Sequence, residues 1–134
     1  MRIDGGCHCG AIAYEAEIDP AKVEICHCTD CQMLSGSAFR TVVPAPEGRF
    51  RLLRGQPKIY VKVAESGARR AQAFCAECGT QIYATSVGAG PKTYNLRLGT
   101  ARQRAALKPQ MQYWSRSALP WIDAIAAIPR VEKE

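Results

Sequence analysis

Seven cysteines in three tight clusters constrain this chain more than any other feature of its sequence. The clusters are Cys7-His8-Cys9, Cys26-His27-Cys28-Thr29-Asp30-Cys31 and Cys75-Ala76-Glu77-Cys78. Two thiolates separated by one or two residues can reach the same ion from a tight turn, and a structural zinc ion takes four such ligands. Cysteines seldom form disulfides in a reducing compartment, and an odd number cannot all be paired. The clusters therefore indicate metal binding.

The clusters divide into a group of four and a group of three. The four-cysteine group would complete a closed site that cross-links two distant turns and contributes to folding: Cys7, Cys9, Cys75 and Cys78. The three-cysteine group would leave a zinc ion one ligand short: Cys26, Cys28 and Cys31. An open ligand position distinguishes a catalytic zinc ion from a structural one. We therefore expect two zinc ions per chain, one of each kind.

Alternatives remain open for these clusters. His8, His27 or Asp30 would close the second site if one of them supplied a fourth ligand. A histidine between two ligands on extended backbone points away from the ion that its neighbours share, so we leave both histidines out of the ligand set. The middle cysteines could also share an ion with one of the outer pairs. A redox function for either Cys-x-x-Cys pair is a weaker interpretation, because such pairs usually stand alone.

Composition favours a single globular domain. The chain has 134 residues, of which 47% are hydrophobic and 22% charged, and this suits one domain over 1–134 with a core from about 4 to 122. No stretch approaches the roughly 20 apolar residues of a membrane helix, and the first residues do not resemble a secretory signal. We expect a cytoplasmic protein that makes no membrane contact.

The formal charge of +6 raises the question of nucleic-acid binding. Seven thiolates that hold two divalent ions would lower this charge by three units, and the basic residues are scattered along the chain. The local clusters, Arg69-Arg70 and Arg102/Arg104, do not form a stripe that could follow phosphates. Nucleic acid is therefore not an expected partner.

Period-two alternation predicts a mainly β chain. Residues 12, 14, 16 and 18 are Ile, Tyr, Ala and Ile, and they alternate with two glutamates and an alanine after a Gly5-Gly6 turn. Further strands are expected at 38–43, 50–53, 58–63, 70–74, 81–85 and 93–98. Prolines and glycines between these segments mark the turns.

Two short segments favour helices. Thr29 and Gln32 resemble a capping box, which predicts a helical turn over 30–34 that ends at Gly36. The composition of 101–108 favours a second helix, which Pro109 would stop. The first of these helical turns would gather the three-cysteine group around one point.

Three segments of the chain are Gly5-Gly6-Cys7-His8-Cys9-Gly10-Ala11-Ile12, Cys26-His27-Cys28-Thr29-Asp30-Cys31-Gln32 and Phe74-Cys75-Ala76-Glu77-Cys78-Gly79-Thr80. Together they resemble the glutathione-dependent formaldehyde-activating family, which includes the centromere protein V group. All three segments are present, in order. Trp114-Ser115-Arg116-Ser117, followed by Pro120-Trp121, is similar to the carboxyl-terminal part of the family. The resemblance thus covers most of the chain.

The resemblance implies a mainly β, Mss4-like zinc-containing fold of small antiparallel sheets with short helical turns. It implies a structural zinc ion at Cys7, Cys9, Cys75 and Cys78, and a catalytic zinc ion at Cys26, Cys28 and Cys31. It also implies an activity of the carbon–sulfur lyase type, in which glutathione and formaldehyde combine to give S-hydroxymethylglutathione. The implied partners are a small thiol and an aldehyde.

The charge of the second site bears on its chemistry. Three thiolates around one zinc ion leave a net negative charge, which favours delivery of a substrate thiolate over polarisation of the aldehyde. Arg40, Arg97 and Arg116 are candidates to receive the carboxylates of glutathione. Tyr113 and Trp121 either line a pocket or pack in the core, and we expect core packing.

Two alternative functions belong to different classes. One is a non-catalytic zinc module that binds a protein or nucleic acid, because a fold does not fix a function. The other is an enzyme of the same type that uses another small thiol or carbonyl compound. A fourth protein ligand at the second site would favour the binding module.

Overall fold

The structure is a computed structural model that describes all 134 residues. It contains ten strands: β1 (Arg2–Gly6), β2 (Ala13–Glu17), β3 (Glu24–Cys26), β4 (Arg40–Pro46), β5 (Phe50–Arg54), β6 (Lys58–Val63), β7 (Arg69–Phe74), β8 (Gln81–Ser86), β9 (Thr93–Arg97) and β10 (Met111–Tyr113). One α-helix, α1, spans Thr29–Ser35. Short 3₁₀ helices lie at Pro20–Lys22, Leu98–Thr100, Arg104–Ala106, Ser115–Ser117 and Ile122–Ala127. The prediction of a mainly β chain is confirmed.

The strands form two sheets. β1, β2 and β5 make an antiparallel three-stranded sheet, and the other strands make a seven-stranded sheet in the order β10-β3-β4-β9-β8-β7-β6. Neighbours in the larger sheet are antiparallel except β10 and β3, which run parallel and place Tyr113 beside Cys26. The expected antiparallel pairing therefore holds everywhere but at this edge.

Aromatic side chains join the two sheets. The ring of Phe50, on β5, lies 5.2 Å from the ring of Tyr83 and 4.7 Å from the ring of Tyr94, between centroids. Tyr14, on β2, is fully buried beside Phe50, and its hydroxyl is 2.9 Å from Thr100 Oγ1. The alternation predicted for β2 is confirmed, because residues 12, 14, 16 and 18 are all buried. Burial of one strand face against the other sheet accounts for this alternation.

The start of the chain differs from the prediction. Gly5 and Gly6 do not form a turn but end β1, where they pair with Tyr14 and Ala13. A Cβ atom on Gly5 would lie 2.2 Å from the carbonyl oxygen of Thr100, so the close approach of two backbones requires glycine here. The turn follows at 7–10 and carries the first cysteine pair.

The predicted helical turn is confirmed, with a different cap. α1 begins after Cys28, whose Sγ accepts a hydrogen bond of 3.3 Å from the backbone N–H of Cys31, so Cys28 and not Thr29 caps the helix. Gly36 ends α1 in the left-handed conformation, with φ +64°. None of the helices has the length and hydrophobicity needed to cross a membrane.

The helix predicted over 101–108 is wrong. Only Arg104–Ala106 is helical, as one 3₁₀ turn. The backbone N–H of Arg102 bonds to the carbonyl of Asp4 at 2.9 Å, and Ala101 and Leu107 are buried. Contacts with β1 thus fix this segment in a conformation that helix propensity does not favour.

Candidate metal centres

The four-cysteine group lies where two turns meet. One turn follows β1 and carries Cys7 and Cys9, and the other joins β7 to β8 and carries Cys75 and Cys78. The four sulfurs all lie within 4.8 Å of one another. The Sγ of Cys9 is 3.6 Å from that of Cys7 and 3.8 Å from that of Cys75.

These distances fit a tetrahedral zinc ion. Zinc–sulfur bonds of about 2.3 Å place the ligand sulfurs about 3.8 Å apart. A disulfide would require about 2.05 Å between sulfurs, and all seven cysteines are free thiols. The residues present therefore fit a closed metal site made of thiolates.

Hydrogen-bond donors prepare the four-cysteine group for negative charge. The backbone N–H of Ile12 donates to Cys7 Sγ at 3.1 Å. The hydroxyl of Thr80 lies 3.1 Å from Cys78 Sγ, and this hydrogen bond, with backbone N–H donors, lowers the pKa of Cys78 to about 5. Thr80 also accepts a hydrogen bond from the backbone N–H of His8. Thr80 could not be predicted as part of this site, because a threonine two residues after a cysteine carries no signal of its own.

The three-cysteine group is assembled from one short segment. Cys26 ends β3, Cys28 caps α1 and Cys31 lies in the first turn of α1, and all three are partly buried. Their sulfurs lie within 4.8 Å of one another. A hydrogen bond from Cys31, the backbone N–H of Cys28 and the charge of Arg40 lower the pKa of Cys26 to about 5. The residues present fit a metal site with three thiolate ligands.

None of the alternative ligands joins this group. His27 is 1% exposed, its Nε2 lies 2.7 Å from Gln112 Oε1, and its ring packs against the ring of Phe39. The carboxylate of Asp30 accepts a hydrogen bond of 2.6 Å from Lys62 Nζ. His8 is exposed beside the other group. The cysteines thus divide as four and three, and not as three with one outer pair.

A cleft of about 360 Å³ opens beside Cys28, and we name it the thiol cleft. Its lining residues include Asp30, Lys62, Trp114 and Arg116. The guanidinium of Arg116 stacks over the Trp114 ring at 4.9 Å. Lys62 belongs to β6 and Trp114 follows β10, so residues from both edges of the seven-stranded sheet meet across α1.

The predicted substrate-binding residues have different positions. Arg116 lines the thiol cleft, whereas Arg40 and Arg97 are buried in the seven-stranded sheet. Tyr113 and Trp121 are each 49% exposed, so the expectation of core packing is wrong for both. Tyr113 ends β10 and Trp121 precedes the last 3₁₀ helix, and neither belongs to the core cluster.

Comparison with known proteins agrees with this architecture. A crystal structure of a Rhodobacter sphaeroides protein is similar to the chain, with a TM-score of 0.61 and 20% sequence identity. The similarity covers 81% of this chain and 98% of that protein, and it supports the fold. A family model described as glutathione-dependent formaldehyde-activating enzyme matches residues 2–117, a range that includes both cysteine groups. The chain belongs to the glutathione-dependent formaldehyde-activating enzyme family.

Proposed function

We propose that this protein combines glutathione with formaldehyde to give S-hydroxymethylglutathione, in a zinc-dependent reaction of the carbon–sulfur lyase type. One observation carries the proposal: the three-cysteine group lies beside an open cleft, and no histidine or carboxylate completes it. Membership of the family supports the thiol and the aldehyde as substrates. The four-cysteine group is assigned to a structural zinc ion, because its ligand set is complete.

The reaction forms one carbon–sulfur bond. The thiolate sulfur of glutathione attacks the aldehyde carbon, the π electrons move to the aldehyde oxygen, and that oxygen takes up the proton that the thiol lost. Atoms and electrons balance without an oxidant or a reductant. Cys26, Cys28 and Cys31 would hold the zinc ion, which would supply a positive charge that favours the thiolate form of the substrate at neutral pH.

The protein's own residues position the thiol. Cys26, Cys28 and Cys31 fix the site between β3 and α1, and the partly buried hydrogen bond between His27 and Gln112 ties the residue after β3 to β10. Arg116 has no carboxylate partner, so its guanidinium is available to an anionic substrate in the thiol cleft. Lys62 forms an ion pair with Asp30, so its positive charge is less available to a second anionic group of the substrate.

The test is the exchange rate between formaldehyde and S-hydroxymethylglutathione, measured by NMR with zinc-loaded protein and without protein. We expect the wild-type protein to exchange formaldehyde faster than the spontaneous reaction does, and we expect Cys28→Ser to lose this acceleration. Met33→Ala is the matched control, because Met33 lies on the same helix but is 82% exposed. A folded and fully active Cys28→Ser variant would refute the assignment of the site. Absence of acceleration with two zinc ions per chain would favour another thiol substrate or a non-catalytic binding module.

A further inference from the structure

Two buried arginines lie on the same face of the seven-stranded sheet as the three-cysteine group. Arg40 is opposite Cys26 in the β3–β4 pair. Val42, two residues further along β4, is opposite Arg97 of β9. Cross-strand partners and residues two apart on a strand project to the same face. Cys26, Arg40 and Arg97 therefore share one face, and the aromatic core lies on the other.

Neither arginine has a carboxylate partner in the protein. Each is only 7% exposed, and neither takes part in a salt bridge. Arg40 donates to Gln81 Oε1 at 2.9 Å and Arg97 donates to Gln72 Oε1 at 2.7 Å. Nε of Arg97 is buried without any hydrogen-bond partner. Burial of a charge without a counter-ion costs free energy, so an anion bound beside these guanidiniums would be stabilising.

The three-cysteine group would supply only part of the negative charge needed to balance the two guanidiniums. Three thiolates around a divalent ion carry one net negative charge, whereas the two guanidiniums carry two positive charges. Burial and the neighbouring charge of Arg40 lower the pKa of Arg97 to about 9, and the thiols Cys31 and Cys26 oppose this decrease. A further anion close to Arg97 would stabilise its charged form.

Arg40 and Arg97 line a polar cleft of about 360 Å³, which we name the arginine cleft. It lies between the carboxyl-terminal end of α1 and the turn that carries Thr80. Thr41 and Gln81 add a hydroxyl and an amide, and no acidic residue lines the cleft. Guanidinium and hydroxyl donors without a competing acid are suited to a carboxylate.

We propose that the arginine cleft binds a carboxylate of the thiol substrate, which makes Arg40 and Arg97 determinants of specificity for anionic thiols. The inference rests on the proposed function, because it assumes that the thiol group is held at the three-cysteine group. α1 has seven residues and is about 10 Å long. The thiol of glutathione is on its central residue, and its extended γ-glutamyl arm places a carboxylate roughly 10 Å from the sulfur, which is long enough to reach along the helix from the three-cysteine group to the arginine cleft.

The test is binding of S-methylglutathione to the zinc-loaded protein, followed by NMR titration. This probe keeps both carboxylates of glutathione but has no thiol, so its binding does not depend on catalysis. Its diethyl ester lacks the two carboxylates and is the comparison ligand. The variants are Arg97→Gln and Arg40→Gln, and Arg69→Gln is the matched control because Arg69 is an exposed arginine of β7. Arg97→Lys keeps a positive charge if the glutamine variant does not fold.

We expect each glutamine variant to weaken S-methylglutathione binding about ten-fold or more, as for loss of a charged hydrogen bond. The diethyl ester should bind weakly to every variant, and Arg69→Gln should match the wild type. The proposal is wrong if Arg97→Gln and Arg40→Gln bind S-methylglutathione as tightly as the wild type does. It is also wrong if these variants lose zinc but still bind S-methylglutathione normally, because the arginines would then support the metal site and not the carboxylate. If binding depends on Arg97 but formaldehyde exchange is not accelerated, the carboxylate site stands and the proposed reaction fails.

Discussion

The two cysteine groups use the same ligand atom in opposite structural settings. The four-cysteine group joins turns that lie 66 residues apart between Cys9 and Cys75, and its charge is met by backbone N–H groups and a hydroxyl. The three-cysteine group comes from one continuous segment, and two buried arginines share its face of the sheet. A metal in the first setting would hold distant parts of the chain together. A metal in the second would add little to the fold and would be available for the proposed chemistry.

The largest expected effect is loss of the fold in Cys78→Ser. This change removes a ligand from the cross-linking site, and structural zinc contributes strongly to folding in small domains, so we expect a loss of about 3 kcal/mol or more in the free energy of unfolding. Guanidinium chloride unfolding and zinc content by mass spectrometry measure it. If Cys78→Ser is as stable as Cys28→Ser, the contrast between the two groups is wrong.

We expect His27→Ala to lower the free energy of unfolding by less than Cys78→Ser does, and to leave the zinc content unchanged. The change leaves a cavity where the buried ring was and removes the partly buried hydrogen bond to Gln112, which together cost about 2–3 kcal/mol. Gln112→Ala is the control, because it removes the same hydrogen bond without a buried cavity. A fall from two zinc ions to one in His27→Ala would mean that His27 is a ligand and that the second site is closed.

A chelator should remove the two metal ions at different rates. Zinc at the three-cysteine group would have one protein ligand fewer, so we expect a chelator to remove it about ten-fold faster, a difference of about 1.4 kcal/mol in the barrier. Absorbance of a zinc-binding dye records two phases in the wild type. The fast phase should be absent in Cys28→Ser, and a single phase in the wild type would contradict the distinction.

The smallest expected effect compares Cys28→Ser with Cys28→Ala. Both remove the thiolate, but serine retains a side-chain acceptor at the amino-terminal cap of α1, whereas alanine does not. We expect the alanine variant to be less stable by about 1 kcal/mol, measured by chemical unfolding of the two proteins side by side. Equal stability would show that the cap of α1 contributes little.

Local patterns in the sequence predicted much of the sheet. β6 has its predicted bounds, and the other six predicted strands agree within three residues or less. β1, β3 and β10 were missed, because two glycines weaken the strand pattern of β1 and the other two strands have three residues each. Strands this short are formed by pairing with neighbours and not by their own propensity.

Cysteine spacing favoured a division into four and three but left open a grouping of the middle cysteines with one outer pair. The structure groups Cys7 and Cys9 with Cys75 and Cys78 because two distant turns meet, which is a long-range property. Arg40 and Arg97 could be named as candidates but not placed. Their burial follows from the order of β3, β4 and β9 in the sheet, which is a long-range property. The position of Lys62 beside Asp30 likewise depends on how the far edge of the sheet approaches α1.

The meeting of both sheet edges across α1 has an evolutionary consequence. The cleft walls at Lys62, Trp114 and Arg116 lie at or beyond the outermost strands, where a new side chain disturbs few backbone pairings. The six other cysteines and Cys28 itself need not change when these walls do. If the proposed function is correct, relatives could therefore acquire new substrates by mutation of these wall residues and keep the same metal site.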